Sequence, residues 1–312
     1  MWIIFRPTGL EKKDKRTGRQ PIETTTGMIK TMKIVRTISD LRKRIAPWRQ
    51  AGRTLSLVPT MGGLHEGHLS LVRLAGDKTD CVVATLFVNP TQFSPNEDFD
   101  EYPRDEEADS KLLACAGADL VFAPALEEMY SARHGTSVIV DGIGDILEGE
   151  CRPHFFRGVA TVVIKLLIQS MPDIAVFGEK DYQQLCVIRT MVRDLNLPVE
   201  VVAGETVREP DGLAMSSRNI FLNDAQRSIA PALNACLQRV AEVVCSCGNI
   251  TDACQKESEK LILAGFSKVD YLTFRDAETL EPLNTLDRPA RVLAAAWLDK
   301  VRLIDNVSLI PG

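Results

Sequence analysis

Apolar residues change their spacing several times along this chain, and each change marks an element. Ile38, Leu41, Ile45 and Trp48 recur at helical intervals and predict a helix ending before Gly52. Thr54 to Val58 reads as a strand, and Leu69, Val72 and Ala75 as the inner face of a second helix. Cys81 to Val88 is a longer apolar run, the pattern of a strand buried on both faces of a parallel sheet. Asp105 to Cys115 predicts a helix with an acidic first turn, and Asp119 to Phe122 a short strand. The alternation then repeats. Val159, Val162, Val163, Leu166 and Leu167 form a helical stripe before a strand at Ile174 to Phe177. Leu185, Ile188, Val192 and Leu195 form the next stripe, before a strand at Val199 to Val202. Strand and helix alternating over 54–203 predict an α/β fold built on an open, doubly wound parallel sheet of Rossmann-like type.

Beyond Gly212 the order is different. Ile229, Leu233, Leu237, Val240 and Val244 predict a long helix, and Thr251 to Leu263 a second. Val269 to Phe274, Val292 to Trp297 and Val301 to Ile304 then read as strands with no helix between them, a smaller α+β unit. The expected division is 32–205 for the Rossmann-like domain and 206–312 for a C-terminal lid domain. Residues 1–31 lack any period and read as a mostly disordered extension, with Met32-Lys33-Ile34-Val35 as the natural start of the folded part.

Charge narrows the function classes. The chain of 312 residues carries −5 overall, but 1–31 hold seven Lys/Arg against three Asp/Glu, so that segment is +4 and the rest −9. An acidic body argues against a nucleic-acid partner, which wants a basic face, and leaves a single nucleotide open. No run reaches the ~20 apolar residues of a membrane span, so no membrane partner is expected. The eight cysteines are scattered and lack zinc-site spacing; reduced thiols and a cytoplasmic setting are the expectation.

The chemistry concentrates in Pro59-Thr60-Met61-Gly62-Gly63-Leu64-His65-Glu66-Gly67-His68. An apolar run precedes it and a helical stripe follows, so it is a strand-to-helix turn whose first helical N–H groups suit an anion. Two of the four histidines stand three apart there and share a face of the helix start. Asn89–Gln92 and Gly178–Asp181 likewise follow strands, so three separated stretches meet on the rim where such sheets bind ligands. Lys180 in its turn is a mobile point charge for phosphates. Ser216, Ser217 and Arg218 offer two hydroxyls and a guanidinium to phosphate oxygens, from a position able to close over them. The acidic group Asp105, Glu106, Glu107 and Asp109 is explained by an acidic first helical turn alone and is left out of the site.

The segments PTMGGLHEGH, VNPTQF, FRGVATVV, FGEKDYQQ, DGLAMSSRN and RLIDN, in that order, resemble the pantothenate synthetase (pantoate–β-alanine ligase) family of the nucleotidylyl-transferase superfamily. The likeness covers nearly everything from Met32 onward. It implies an ATP-dependent ligase that joins pantoate to β-alanine through pantoyl adenylate, with Mg²⁺ offsetting the triphosphate charge. His65, His68 and Lys180 are then the catalytic set. The implied ATP site comprises Met61, Gly62, Gly63, Leu64, His65, Glu66, Gly67 and His68, with Gly178, Glu179, Lys180 and Asp181, and Val207, Met215, Ser216, Ser217 and Arg218. Gln92 and Gln184 are implied as pantoate ligands, Gln92 also for β-alanine, with Asn89 orienting Gln92 and the glycines letting backbone approach the nucleotide. The magnesium ligands are unassigned, and the family implies a homodimer through the first domain. In Arg152-Pro153-His154-Phe155-Phe156 the histidine stands one place from the family's usual position, so His154 receives no role. A nucleotidylyltransferase acting on a phosphorylated acceptor, a class I aminoacyl-tRNA synthetase and a silent nucleotide-binding module are the alternatives. Two glutamines, an acidic body and the full His/Lys/Ser-Ser-Arg set, respectively, fit them poorly.

Overall fold

The computed structural model describes residues 32–94 and 99–311; the extension expected over 1–31 lies outside the described residues. Six strands form the first sheet: β1 (Lys33–Val35), β2 (Leu55–Val58), β3 (Cys81–Thr85), β4 (Leu120–Phe122), β5 (Ile174–Gly178) and β6 (Glu200–Gly204). All neighbours pair in parallel, in the order β1-β4-β3-β2-β5-β6. The connections are α1 (Ile38–Gln50), α2 (Glu66–Lys78), α3 (Glu106–Ala116), the short α4 (Leu126–Met129) and α5 (Glu148–Cys151), then α6 (Phe155–Ser170) and α7 (Tyr182–Asp194). Every residue of β2 and β3 is buried, as a two-faced parallel strand requires. Side chains alternate between two cores. Leu55, Leu57, Val83, Phe122 and Phe177 meet α1, α6 and α7 on one face. Val58, Val82, Ala84, Val121 and Val176 meet α2 and α3 on the other.

Chain order reverses at the β2–β5 pair: successive strands run outward to one side from β2 and to the other from β5. That pair is the switch point, where the loops leaving the strand ends diverge and open a crevice. The histidine turn follows β2 and the Lys180 turn follows β5, so the topology brings the two together across 115 residues of chain.

The second sheet is antiparallel, β7 (Lys268–Asp276), β8 (Ala290–Leu298) and β9 (Val301–Leu309), with β8 central. Helices α8 (Asp224–Ile229), α9 (Ala232–Cys245) and α10 (Ile250–Ala264) precede it. Ala290, Val292, Ala294, Ala296 and Leu298 face the α9 and α10 core, whereas Leu293 joins the core of the first sheet. The two sheets thus share apolar packing.

Sequence and structure differ in three places. The expected long helix after Ile229 begins instead at Ala232, because Pro231 has no N–H to continue α8 and serves as the residue before α9. The run Cys81 to Val88 stops being a strand at Thr85, and Leu86 and Phe87 turn to donate their N–H groups to Phe122 and Thr60. Strand β1 was not anticipated; it is three residues on the sheet edge with Lys33 and Ile34 exposed, too short to show a period. No described helix is long and apolar enough to cross a membrane.

Candidate active site

The histidine turn is held by its own helix. His65 is the residue before α2, in extended conformation, and its Nδ1 accepts from the Gly67 N–H at 3.2 Å. His68 Nδ1 accepts from the His65 N–H at 3.4 Å, and the ring centroids lie 4.1 Å apart. A ring nitrogen that accepts from a backbone N–H carries no proton, so both imidazoles hold theirs on Nε2. Burial, aided by the positive charge of Lys180, pushes the His65 pKa down to about 4. Burial, then His65 and Lys180, pushes His68 down to about 3. Both rings are therefore neutral hydrogen-bond donors at physiological pH.

Beneath the turn lies a residue that the sequence reading set aside. Asp109 of α3 is buried, and its two oxygens accept from the N–H groups of Gly63 and Leu64, each at 2.9 Å. Burial pushes its carboxyl up while these backbone bonds pull it down. Gly62 and Gly63 both have positive φ, and a Cβ on Gly62 would come within 2.9 Å of the Asp109 carboxylate. A Cβ on Gly67 would meet the His65 ring. Within the fold itself, Gly62 makes room for Asp109 and Gly67 for the His65 ring.

The Asn89–Gln92 turn is fixed from the other side. Asn89 is buried and donates to Gln92 Oε1 at 3.1 Å and to the Gly158 carbonyl at 3.2 Å, while accepting from the Tyr130 hydroxyl at 2.9 Å. Gln92 Nε2 reaches Met61 Sδ at 3.0 Å, linking this turn to the histidine turn. Gly158 lets α6 lie directly on the turn: a methyl there would run into the Thr91 carbonyl and come within 2.8 Å of Gln92 N.

Lys180 belongs to a short 3-10 turn, 179–181, with its side chain one-fifth exposed. Ser217 Oγ donates to the Gly63 carbonyl at 2.9 Å, which seats the Ser-Ser-Arg segment on the histidine turn, and Ser216 Oγ accepts from Arg218 N.

These turns line one cleft of about 1120 Å³ between the sheets. That is room for more than one small ligand. Of the expected ATP site, Met61, His65, Gly67 and His68 reach it from the first turn. Gly178, Lys180 and Asp181 reach it from the second, and Val207, Met215 and Ser216 to Arg218 from the connecting segment. Gln92 and Gln184 line it as well. Gly62, Gly63 and Leu64 form the turn's base outside the lining. Two side chains point elsewhere: Glu66 is exposed and paired with Arg73, and Glu179 pairs with Arg291 at 2.9 Å. His154 is exposed and outside the lining. At the far end Arg302 bridges Glu148 at 2.6 Å and Asp270 at 2.8 Å, tying α5 to β7 and β9. Among the described residues no group of three His, Cys, Asp or Glu converges as a metal cage.

Fold and cleft define the class: a doubly wound α/β protein with its candidate site at the switch point, beside a helix tip suited to an anion. The family described as Pantoate-beta-alanine ligase matches residues 33–308. Pantothenate synthetase from Paramagnetospirillum magneticum is 52% identical over 278 residues, covering 89% of this chain and 98% of that one. The Caulobacter vibrioides enzyme of that name is 51% identical over 279 residues, covering 88% and 98%. Among solved structures, pantothenate synthetase from Thermus thermophilus superposes with TM-score 0.84 at 46% identity, covering 90% of this chain and 100% of that one. A pantoate-beta-alanine ligase from Francisella tularensis, complexed with beta-gamma ATP and beta-alanine, gives TM-score 0.76 at 32% identity, covering 88% and 97%. This chain belongs to the pantoate–beta-alanine ligase family.

Proposed function

We propose that the cleft activates pantoate with ATP and then joins it to β-alanine. A pantoate carboxylate oxygen attacks the α-phosphorus, the bond to the β-phosphate oxygen breaks, and pyrophosphate leaves. The β-alanine nitrogen then attacks the acyl carbon of pantoyl adenylate, AMP departs, and the nitrogen gives up a proton. No protein nucleophile takes part, so positioning and charge stabilisation carry the rate.

The observation that supports this reading best is the meeting of the His65/His68 tip, Lys180 and Gln92 in one cleft at the switch point. Neutral Nε2–H groups donate to phosphate oxygens as charge builds on the departing pyrophosphate, and Lys180 adds a full positive charge. Gln92, fixed by Asn89, and Gln184 bind pantoate through neutral amides, Gln92 also meeting β-alanine; Val207 and Met215 contact the adenosine side. The Ser216–Arg218 segment, part of a lid formed by 206–312, closes over the phosphates. Mg²⁺ bound with ATP would offset the triphosphate charge; Asp109 would not hold it, because both of its oxygens accept from the turn. A cytoplasmic homodimer paired through 32–205 completes the proposal, and sedimentation measures that pairing.

The test incubates the full chain with ATP, Mg²⁺, pantoate and β-alanine. AMP release should require both acids, and a single turnover with pantoate alone should yield one pyrophosphate per site. AMP release without pantoate, or no pyrophosphate before β-alanine is added, would overturn the reading.

A further inference from the structure

The Lys180 turn is held from the second sheet. Asn306 of β9, 4% exposed, spends both amide hydrogens on it: Nδ2 donates to the Glu179 carbonyl at 2.8 Å and to the Lys180 carbonyl at 3.0 Å. Its Oδ1 accepts from Arg291 Nη1 at 2.6 Å, which fixes the orientation of the amide. Arg291 is itself constrained. A second guanidinium nitrogen lies 2.9 Å from the Glu179 carboxylate, and the group lies 3.8 Å over the Tyr182 ring. From the other side, the Asn306 N–H donates to Asp305 Oδ1 at 2.7 Å, and Asp305 receives two nitrogens of Arg208 at 2.6 and 2.9 Å. Arg208 directly follows Val207, at the wall of the cleft.

A three-residue 3-10 turn has little rigidity of its own. Here two successive carbonyls on it are pinned by one amide whose own place is set by two ion pairs. The lysine side chain departs between those carbonyls, so the amide decides where its charge begins.

We infer that Asn306, oriented by Arg291, is a positioning residue that sets the Lys180 ammonium against His65 and His68, so that the second sheet supplies part of the geometry of the first. This rests on the reading that Lys180 acts on the phosphates. It assigns the buried polar group of the RLIDN segment a task beyond packing.

A double-mutant cycle on pyrophosphate formation from ATP and pantoate tests it. Asn306→Ala should slow that step on the order of 10²-fold, the cost of displacing a catalytic group by about an ångström, while KM for pantoate stays within about twofold because Gln92 is untouched. In a Lys180→Ala background the same change should cost at most about threefold, because the group it positions is gone. Arg291→Lys, which keeps the charge and loses the fork on Asn306, should show the same pattern with a smaller loss and serves if Asn306→Ala fails to fold. Equal losses with and without Lys180, or a rise in KM for pantoate matching the loss in kcat, would overturn the inference. Full activity of Lys180→Ala would instead overturn the phosphate reading on which it stands.

Discussion

Two turns flank the β2–β5 switch point, and they are stabilised in opposite ways. The histidine turn is anchored within its own layer: the N–H groups of His65 and Gly67, at the entry to α2, fix the two rings, and Asp109 of neighbouring α3 supplies the floor. The Lys180 turn is anchored from outside, by Asn306 and Arg291 of the antiparallel sheet. The pair of neutral donors is therefore built into the parallel sheet, whereas the permanent charge is placed by the other half of the molecule. Damage to the first should stay local, and damage to the second can originate 126 residues away.

The largest effect that separates the turns is expected from His68→Ala. On the proposed role it removes a donor to the departing pyrophosphate without touching the Lys180 anchor, and pyrophosphate formation should fall by ~10²-fold or more. The change also leaves the His65 N–H without its acceptor, so stability should fall by about 1 kcal/mol, the cost of a lost helix cap. An unchanged rate would mean that the ring does not face the phosphates. A rate loss no larger than that of other variants destabilised to the same extent would mean that the ring acts only as the cap.

Asp109→Asn probes the floor, with a smaller kinetic effect. One oxygen still accepts from the turn, but an NH₂ now faces the second N–H, leaving a buried donor unpaired at about 1–3 kcal/mol. Adenylation should slow by roughly tenfold through a shifted His65, a modest displacement cost. Combined with Asn306→Ala, the losses should multiply, since the two anchors share no partner. Coupling between them would show that the turns are one unit and not two.

The same contrast explains what was legible in the sequence. The strands Leu55–Val58, Cys81–Thr85 and Ile174–Gly178 and the turns that follow them are local patterns, and period and glycine content report them directly. The anchors are long-range. Asp109 sits within an acidic first helical turn that has its own sufficient explanation, and nothing near it in the chain reveals that it reaches Gly63, 46 residues back. Asn306 lies inside an ordinary β-strand, and only the packing of the second sheet beside the first brings it to Lys180. Gly158 gave no local signal either, because in a helix interior a glycine reads as a weak spot until the chain pressed against it is known. The break at Pro231 was missed for a different reason: apolar spacing on both sides continues through it, and the missing N–H outweighs the stripe.

The smallest expected effect is an absence, and it discriminates well. If the histidine turn is the neutral half of the site, its rings should not titrate near 6.5, the ordinary value for histidine. Each Nδ1 accepts from a backbone N–H, so protonation there must break that bond as well as place a charge in a half-buried site beside Lys180. In the free protein, the ¹³Cε1–H resonances of His65 and His68 should therefore hold still from pH 8 to about 5. They should move only toward the values of about 4 and about 3. The stability linkage has a definite sign. Above pH 6.5 both rings are neutral folded or unfolded and cost nothing. Below it the unfolded chain takes up protons that the fold refuses, so stability is lost as pH falls from 6.5 through about 4 and 3. Replacing both histidines with asparagine should flatten that part of the melting-temperature profile. Movement of either resonance near pH 6.5 would show an imidazolium at the helix tip, and the division between a neutral turn and a charged one would fail.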